Sequence, residues 1–203
     1  MNLSHMVRAM LERLQLPMGV VLCVCLLAPL TSRAEVQPIK PNQIKYQITG
    51  LFQPDREEDL RVAFEKLPQL KLVSIDYPNA EILIEQDAAK VDAKLTPEKR
   101  LEQFDQDLRQ ASRGTFGAKP LRTMPLDKLT LIEITVAGLD CKACSYYAYD
   151  MVYKLPGVER ATASFKNRKV QAWIDPEKTS QMALEEALKK GGVHVGPLPE
   201  PAK

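Results

Sequence analysis

The chain has 203 residues, enough for two small domains, and its 45% hydrophobic and 27% charged content is an ordinary globular balance that excludes bulk disorder. It holds 28 basic and 26 acidic residues; Arg8, Arg13, Arg33 and Glu12 fall in the first 34 positions, so the remainder carries 25 of each sign. A neutral body has no electrostatic footprint for nucleic acid, and nucleic acid is not expected as a partner.

Taken in chain order, residues 1–34 read as a secretory signal. Arg8 and Arg13 precede the uncharged run MGVVLCVCLLAPL at 18–30, and SRA at 32–34 offers small residues for cleavage after Ala34. The competing reading is an uncleaved anchor helix, because 14–32 lacks charge; Pro17, Pro29 and Gln15 shorten its apolar part below the roughly 20 residues a bilayer needs. Cleavage implies a periplasmic or secreted protein with no membrane association beyond the signal segment. Cys23 and Cys25 leave with the signal, and Cys141 and Cys144 remain. Two cysteines scattered at random over such a chain fall three apart only about once in a hundred cases, and an oxidising compartment permits a disulfide.

Beyond the signal, the chain repeats itself. An offset of 88 residues aligns Gly50-Leu51 with Gly138-Leu139, Lys66-Leu67-Pro68 with Lys154-Leu155-Pro156, Asn79 with Asn167 and Asp87 with Asp175, without a gap. In each copy a strand alternates apolar residues (Ile44, Tyr46, Ile48; Ile132, Ile134, Val136). A helix follows with i, i+3, i+4, i+7 spacing (Leu60, Ala63, Phe64, Leu67; Ala148, Met151, Val152, Leu155) and proline immediately after as a stop. Two strands come next, carrying Val73, Ile75, Tyr77 and Ile82, Ile84 in copy one, and Ala161, Ala163, Phe165 and Val170, Ala172, Ile174 in copy two. PNA and KNR turn between them.

A second helix is expected from Thr96 and Pro97 in copy one, with Leu101, Phe104, Leu108 and Ala111 inward. In copy two it starts at Thr179 or Ser180, with Leu184, Ala187 and Leu188 inward and a stop at Gly191-Gly192. Copy one holds about eleven extra residues here, centred on 88–95. Last strands are expected around 115–119 and 193–196. The order β-α-β-β-α-β predicts an α+β protein of two tandem ferredoxin-like sandwiches: a first domain over 42–120, a linker over 121–130, a second domain over 131–196 and a proline-rich tail over 197–203.

The loop GLDCKAC at 138–144 carries the chemistry. Its cysteines are open to three readings: a metal grip, a redox dithiol or a staple for a turn. Cys141 leaves the first strand and Cys144 sits on the first helical turn, where unpaired N–H groups and the dipole stabilise a thiolate, and this spacing lets both sulfurs converge on one soft cation. Asp140 has two readings, a hard third ligand that favours Zn(II) or another divalent ion over Cu(I), and a helix cap. Lys142 reads as a solvated cation that also helps hold thiolates. Tyr146, Tyr147 and Tyr149 read as packing or half-exposed surface. Strand alternation turns His194 away from the core side occupied by Val193 and Val195, and it is not expected to ligate.

GLDCKAC followed by a helix and KLPGV resembles the heavy-metal-associated domain of small copper chaperones, mercury-binding periplasmic proteins and the N-terminal arms of metal-exporting ATPases. The resemblance covers 129–196. It implies a non-enzymatic protein that binds one metal ion, Cu(I), Zn(II) or another soft divalent cation, through Cys141 and Cys144; Asp140 stays open between a third ligand and a helix cap. It also implies a metal-exporting ATPase, a cuproprotein or another metal-accepting domain as partner. Leu139 stands where the family has methionine, and Val193 where many members place a lysine or tyrosine. The alternative is a thiol-disulfide protein, or a redox-gated metal carrier, using the same pair. Copy one has Gln53 and Arg56 at the cysteine positions and cannot form a thiol site; its acidic run Asp55, Glu57, Glu58 reads as dipole compensation on a solvated face. Copy one is left as a docking surface, spacer or dimerisation unit. No Ser-His-Asp set or glycine-rich phosphate loop is present, so no catalytic residues are expected.

Overall fold

Period-two apolar patterning in the strands and helices with one apolar face build the same layer twice. The computed structural model describes residues 39–87, 95–137 and 140–197. The signal segment expected over 1–34, most of the extra stretch at 88–95, the Gly138-Leu139 pair and most of the tail lie outside the described residues. The first unit runs β1 (Gln43–Thr49), α1 (Arg56–Phe64), β2 (Leu70–Asp76), β3 (Glu81–Gln86), α2 (Pro97–Ala111), β4 (Gly117–Lys119). The second runs β5 (Thr130–Ala137), α3 (Lys142–Tyr153), β6 (Val158–Ser164), β7 (Lys169–Ile174), α4 (Gln181–Lys190), β8 (His194–Val195). Two antiparallel four-stranded sheets result, ordered β2-β3-β1-β4 and β6-β7-β5-β8. The protein is thus an α+β tandem of ferredoxin-like units, as the repeat predicts.

Each unit buries its own apolar set. Ile48, Ile82 and Ile84 of the first sheet meet Leu60, Phe104 and Leu108 of its helices; Val136, Val170 and Ile174 of the second meet Val152, Leu184 and Leu188. Full burial of such side chains stabilises the fold by roughly 1.5–3 kcal/mol each. Helix starts follow the caps: Thr96 Oγ1 accepts from Lys99 N–H at 3.4 Å, and Ser180 Oγ accepts from Ala183 N–H at 3.4 Å.

Two expectations need correction. The first helices end at Phe64 and Tyr153, well before the prolines at 68 and 156, because the residue preceding a proline avoids helical geometry and the chain turns earlier. Leu67 is nonetheless buried, carried in by a turn in which its N–H bonds to Phe64 C=O at 2.9 Å. Val73 does not face inward with Ile75: a bulge between Leu72 and Ser74 rotates it out, 39% exposed, and Leu72 takes the inward place.

Both sheets belong to one compact body from Pro38 onward. What joins them is the end of β1 and the loop that leads from it to α1. The edge strand β6 would otherwise leave N–H and C=O groups unpaired. Ala163 N–H donates to Phe52 C=O at 3.1 Å, Gln53 Nε2 donates to Ala163 C=O at 2.8 Å, and Gln47 Nε2 donates to Glu159 C=O at 3.0 Å. Phe52, 1% exposed, enters the second unit's core, its ring 5.6 Å from those of Tyr146 and Tyr149. Gly50 N–H donates to Tyr149 Oη at 2.8 Å. Only glycine fits there: φ is +89°, and a Cβ would stand 2.1 Å from Thr115 O.

The buried Arg160 closes the same seam. Its guanidinium lies 5.0 Å from the Tyr77 ring centre, donates to Tyr77 C=O at 3.2 Å and also bonds Ala161 C=O. From the linker, the buried Arg122 side chain donates to Asn79 C=O at 2.6 Å and pairs with Glu81 at 3.4 Å, which fastens the connection to the first unit.

Candidate metal-binding loop

The cysteine turn is built by the start of α3. Cys141 takes extended geometry (φ −150°, ψ 166°) and is itself the N-cap: its Sγ accepts from Cys144 N–H at 3.2 Å, while its C=O accepts from Ser145 N–H at 3.0 Å. Lys142 is the first helical residue, so Cys144 lies in the first turn and faces back toward the cap. Both cysteines are free thiols; Cys141 is exposed and Cys144 is partly buried against the second core. The Cys144 thiol beside it, together with the Cys144 and Ala143 N–H groups, holds the Cys141 pKa below its ordinary value, while the Asp140 carboxylate pushes the other way. The arrangement provides one accessible sulfur and a second sulfur at the rim of the core, on one helical turn.

Asp140 is exposed and does not cap α3; the Cys141 sulfur does that. Among the described residues, no group of three or more His, Cys, Asp or Glu side chains stands together as a ready metal site, so the Asp140 carboxylate is not gathered with the two sulfurs here. His194 is exposed on β8, between the buried Val193 and the half-buried Val195, and pairs through its backbone with Ala137. Lys142 is not simply solvated: its Nζ lies 2.7 Å from the Asp55 carboxylate of the first unit. Tyr149 is buried, Tyr146 packs against Phe52, and Tyr147 is exposed.

At the equivalent place in the first unit, Gln53 is buried in the seam, and the Arg56 guanidinium lies 5.3 Å from the Phe52 ring centre and 5.6 Å from that of Phe116 while pairing with Asp59 at 2.7 Å. The docking role of Phe52 and Gln53 went unread in the sequence. The signal was present: a phenylalanine in a loop, aligned with the acidic Asp140 of the copy that has the cysteines.

No family model matches the chain. Over 68 residues it is 31% identical to a protein described as a probable copper-transporting ATPase, PacS, of Synechococcus elongatus; the match covers 34% of this chain and 9% of the ATPase. Among solved structures, a CopZ metallochaperone is covered completely by 33% of this chain, at 21% identity and a TM-score of 0.32. The N-terminal soluble domains of Bacillus subtilis CopA are similar over 75% of this chain and 90% of theirs, at 15% identity and a TM-score of 0.32. The N-terminal domain of the zinc(II) ATPase ZiaA in its apo form is similar over 37% of this chain and 71% of its own length, at 20% identity and a TM-score of 0.31. The sequence match and the GLDCKAC motif support a heavy-metal-associated-like domain within the chain. Among the described residues, no helix is long and apolar enough to cross a membrane.

Proposed function

We propose that the protein is a non-enzymatic carrier that binds one soft or borderline metal ion through Cys141 and Cys144 and sequesters it or passes it on. The observation that carries this reading is the cap geometry: two free thiols on one turn, the outer one exposed and accepting the Cys144 N–H. The copper-transporting description of the 31%-identical relative supports the same class of cargo. Two thiolates satisfy Cu(I) and make half of a tetrahedral Zn(II) site; Asp140, adjacent and exposed, is the third ligand we assign when the ion is divalent. Transfer is by ligand exchange. Each incoming thiolate of an ATPase domain, cuproprotein or other acceptor forms one metal–sulfur bond as one bond to Cys144 or Cys141 breaks, and the freed thiolate takes a proton. We place this activity outside the cytoplasm, after removal of residues 1–34, which intact-mass measurement of the secreted form checks directly.

The reduced protein should show Cys141 and Cys144 protected from alkylation by one equivalent of Cu(I) or Zn(II). Equal labelling with and without metal would overturn the reading. Asp140→Ala should weaken Zn(II) protection and leave Cu(I) protection intact; unchanged protection by both ions removes Asp140 from the ligand set. The depressed Cys141 thiol also suits a redox pair. Rapid turnover in an insulin-reduction assay would favour that second reading over metal carriage.

A further inference from the structure

The turn bearing the cysteines has little to hold it. Asp140, Cys141, Lys142 and Ala143 are all exposed, and Cys144 is the first residue of the turn to touch the core. Its internal bonds, Cys144 N–H to the Cys141 sulfur and Ser145 N–H to Cys141 C=O, fix the shape of the turn without fixing it to anything else. Among the described residues, the side-chain tie from this exposed stretch to the rest of the molecule is the 2.7 Å ion pair between Lys142 and Asp55. Asp55 immediately precedes α1 of the cysteine-free unit, two residues beyond Gln53, and that loop is itself held by Phe52 in the second core and by Gln53 on β6. A charge on a firmly seated loop thus grips the residue between the two sulfurs.

We propose that Asp55 is a positioning residue for the metal loop: through Lys142 it ties the cysteine turn to the first unit, and so slows release of the bound ion. This rests on the metal-carrier reading above. Because both side chains are about half exposed, 55% for Lys142 and 48% for Asp55, the effect is limited to about fivefold or less.

The test uses the full chain, reduced, with Cu(I) or Zn(II) as the probe ion and a colorimetric chelator to read its release. Asp55→Asn should speed release two- to fivefold, roughly the range open to an exposed ion pair, and Asp55→Glu should restore the native rate. In a Lys142→Gln background, Asp55→Asn should have no further effect; at about 1 M salt, where charges are screened within a few ångströms, all variants should converge. Asp55→Asn acting equally with and without Lys142 would show direct attraction of the cation and overturn the positioning role, as would unchanged release. Amide hydrogen exchange of Lys142 to Cys144 in the metal-free protein gives a separate readout: faster exchange in Asp55→Asn is expected, and unaltered exchange overturns the proposal. If the native protein binds no ion, the carrier reading fails by itself and exchange still decides the role of Asp55.

Discussion

The two β-α loops start from one template and end in opposite uses. In the first unit the loop is a plug: Phe52 is buried in the neighbouring core, Gln53 in the seam, and the Arg56 guanidinium lies over Phe52 and Phe116. In the second unit Asp140, Cys141 and Cys144 occupy those same three places; the first two are exposed and the third sits at the rim of the core. Replacing an apolar anchor by a carboxylate leaves nothing to drive the second loop into a partner, and the sulfurs stay reachable. One copy of the loop contributes burial and fixes the assembly, and the other leaves its Cys141 sulfur exposed.

The comparison breaks most visibly at Phe52. Phe52→Ala should destabilise the protein by about 3–5 kcal/mol in urea unfolding, the range for removing a buried phenylalanine, because its ring fills the second core. A change near zero would mean the loop merely lies on the surface. Tyr149→Phe comes next: it deprives Gly50 N–H of its acceptor and should cost about 1–3 kcal/mol, while the same change at the exposed Tyr147 should cost almost nothing. Burial already raises the Tyr149 pKa well above the ordinary phenol range, so its hydroxyl stays protonated across the working pH range and this bond should be insensitive to pH. Ser180→Ala, which removes the cap of α4, a helix that carries neither loop, should cost roughly 1 kcal/mol and leave cysteine reactivity alone.

The smallest effect concerns the open loop. The folded Cys141 pKa lies below its unfolded value, so thiolate formation there favours the folded state above the unfolded thiol pKa. That contribution fades as pH falls through the folded value. Alkylation of Cys141 should therefore outpace that of an unstructured cysteine at and below neutrality, with both rates falling in acid, and lose its advantage in alkali where both thiols are ionised. A rate matching the free amino acid at every pH would remove the cap bond from the account.

Much of this was legible in the sequence, for definite reasons. Strand alternation and helix spacing recur at the 88-residue offset, so the order of elements could be read twice, and Thr96 and Ser180 marked helix starts through side chains that only a cap uses in that way. The Val73 bulge was not legible, because alternation counts residues and a bulge inserts one without changing composition. The cap at Cys141 was masked by Asp140, the stronger capping residue one position earlier. The seam was invisible for a deeper reason. Phe52, Gln53 and Arg160 meet partners about a hundred residues away, and periodicity within one unit says nothing about which edge of another it will cover.

If one loop of the pair binds metal and the other does not, native mass spectrometry of the reduced protein with excess Zn(II) or Cu(I) will count a single ion. One ion per chain is predicted for the native sequence, none for Cys141→Ser/Cys144→Ser, and one still for a variant with Gln53 and Arg56 both changed to Ala. An ion retained by the cysteine-free variant, or none held by the native protein, would contradict it.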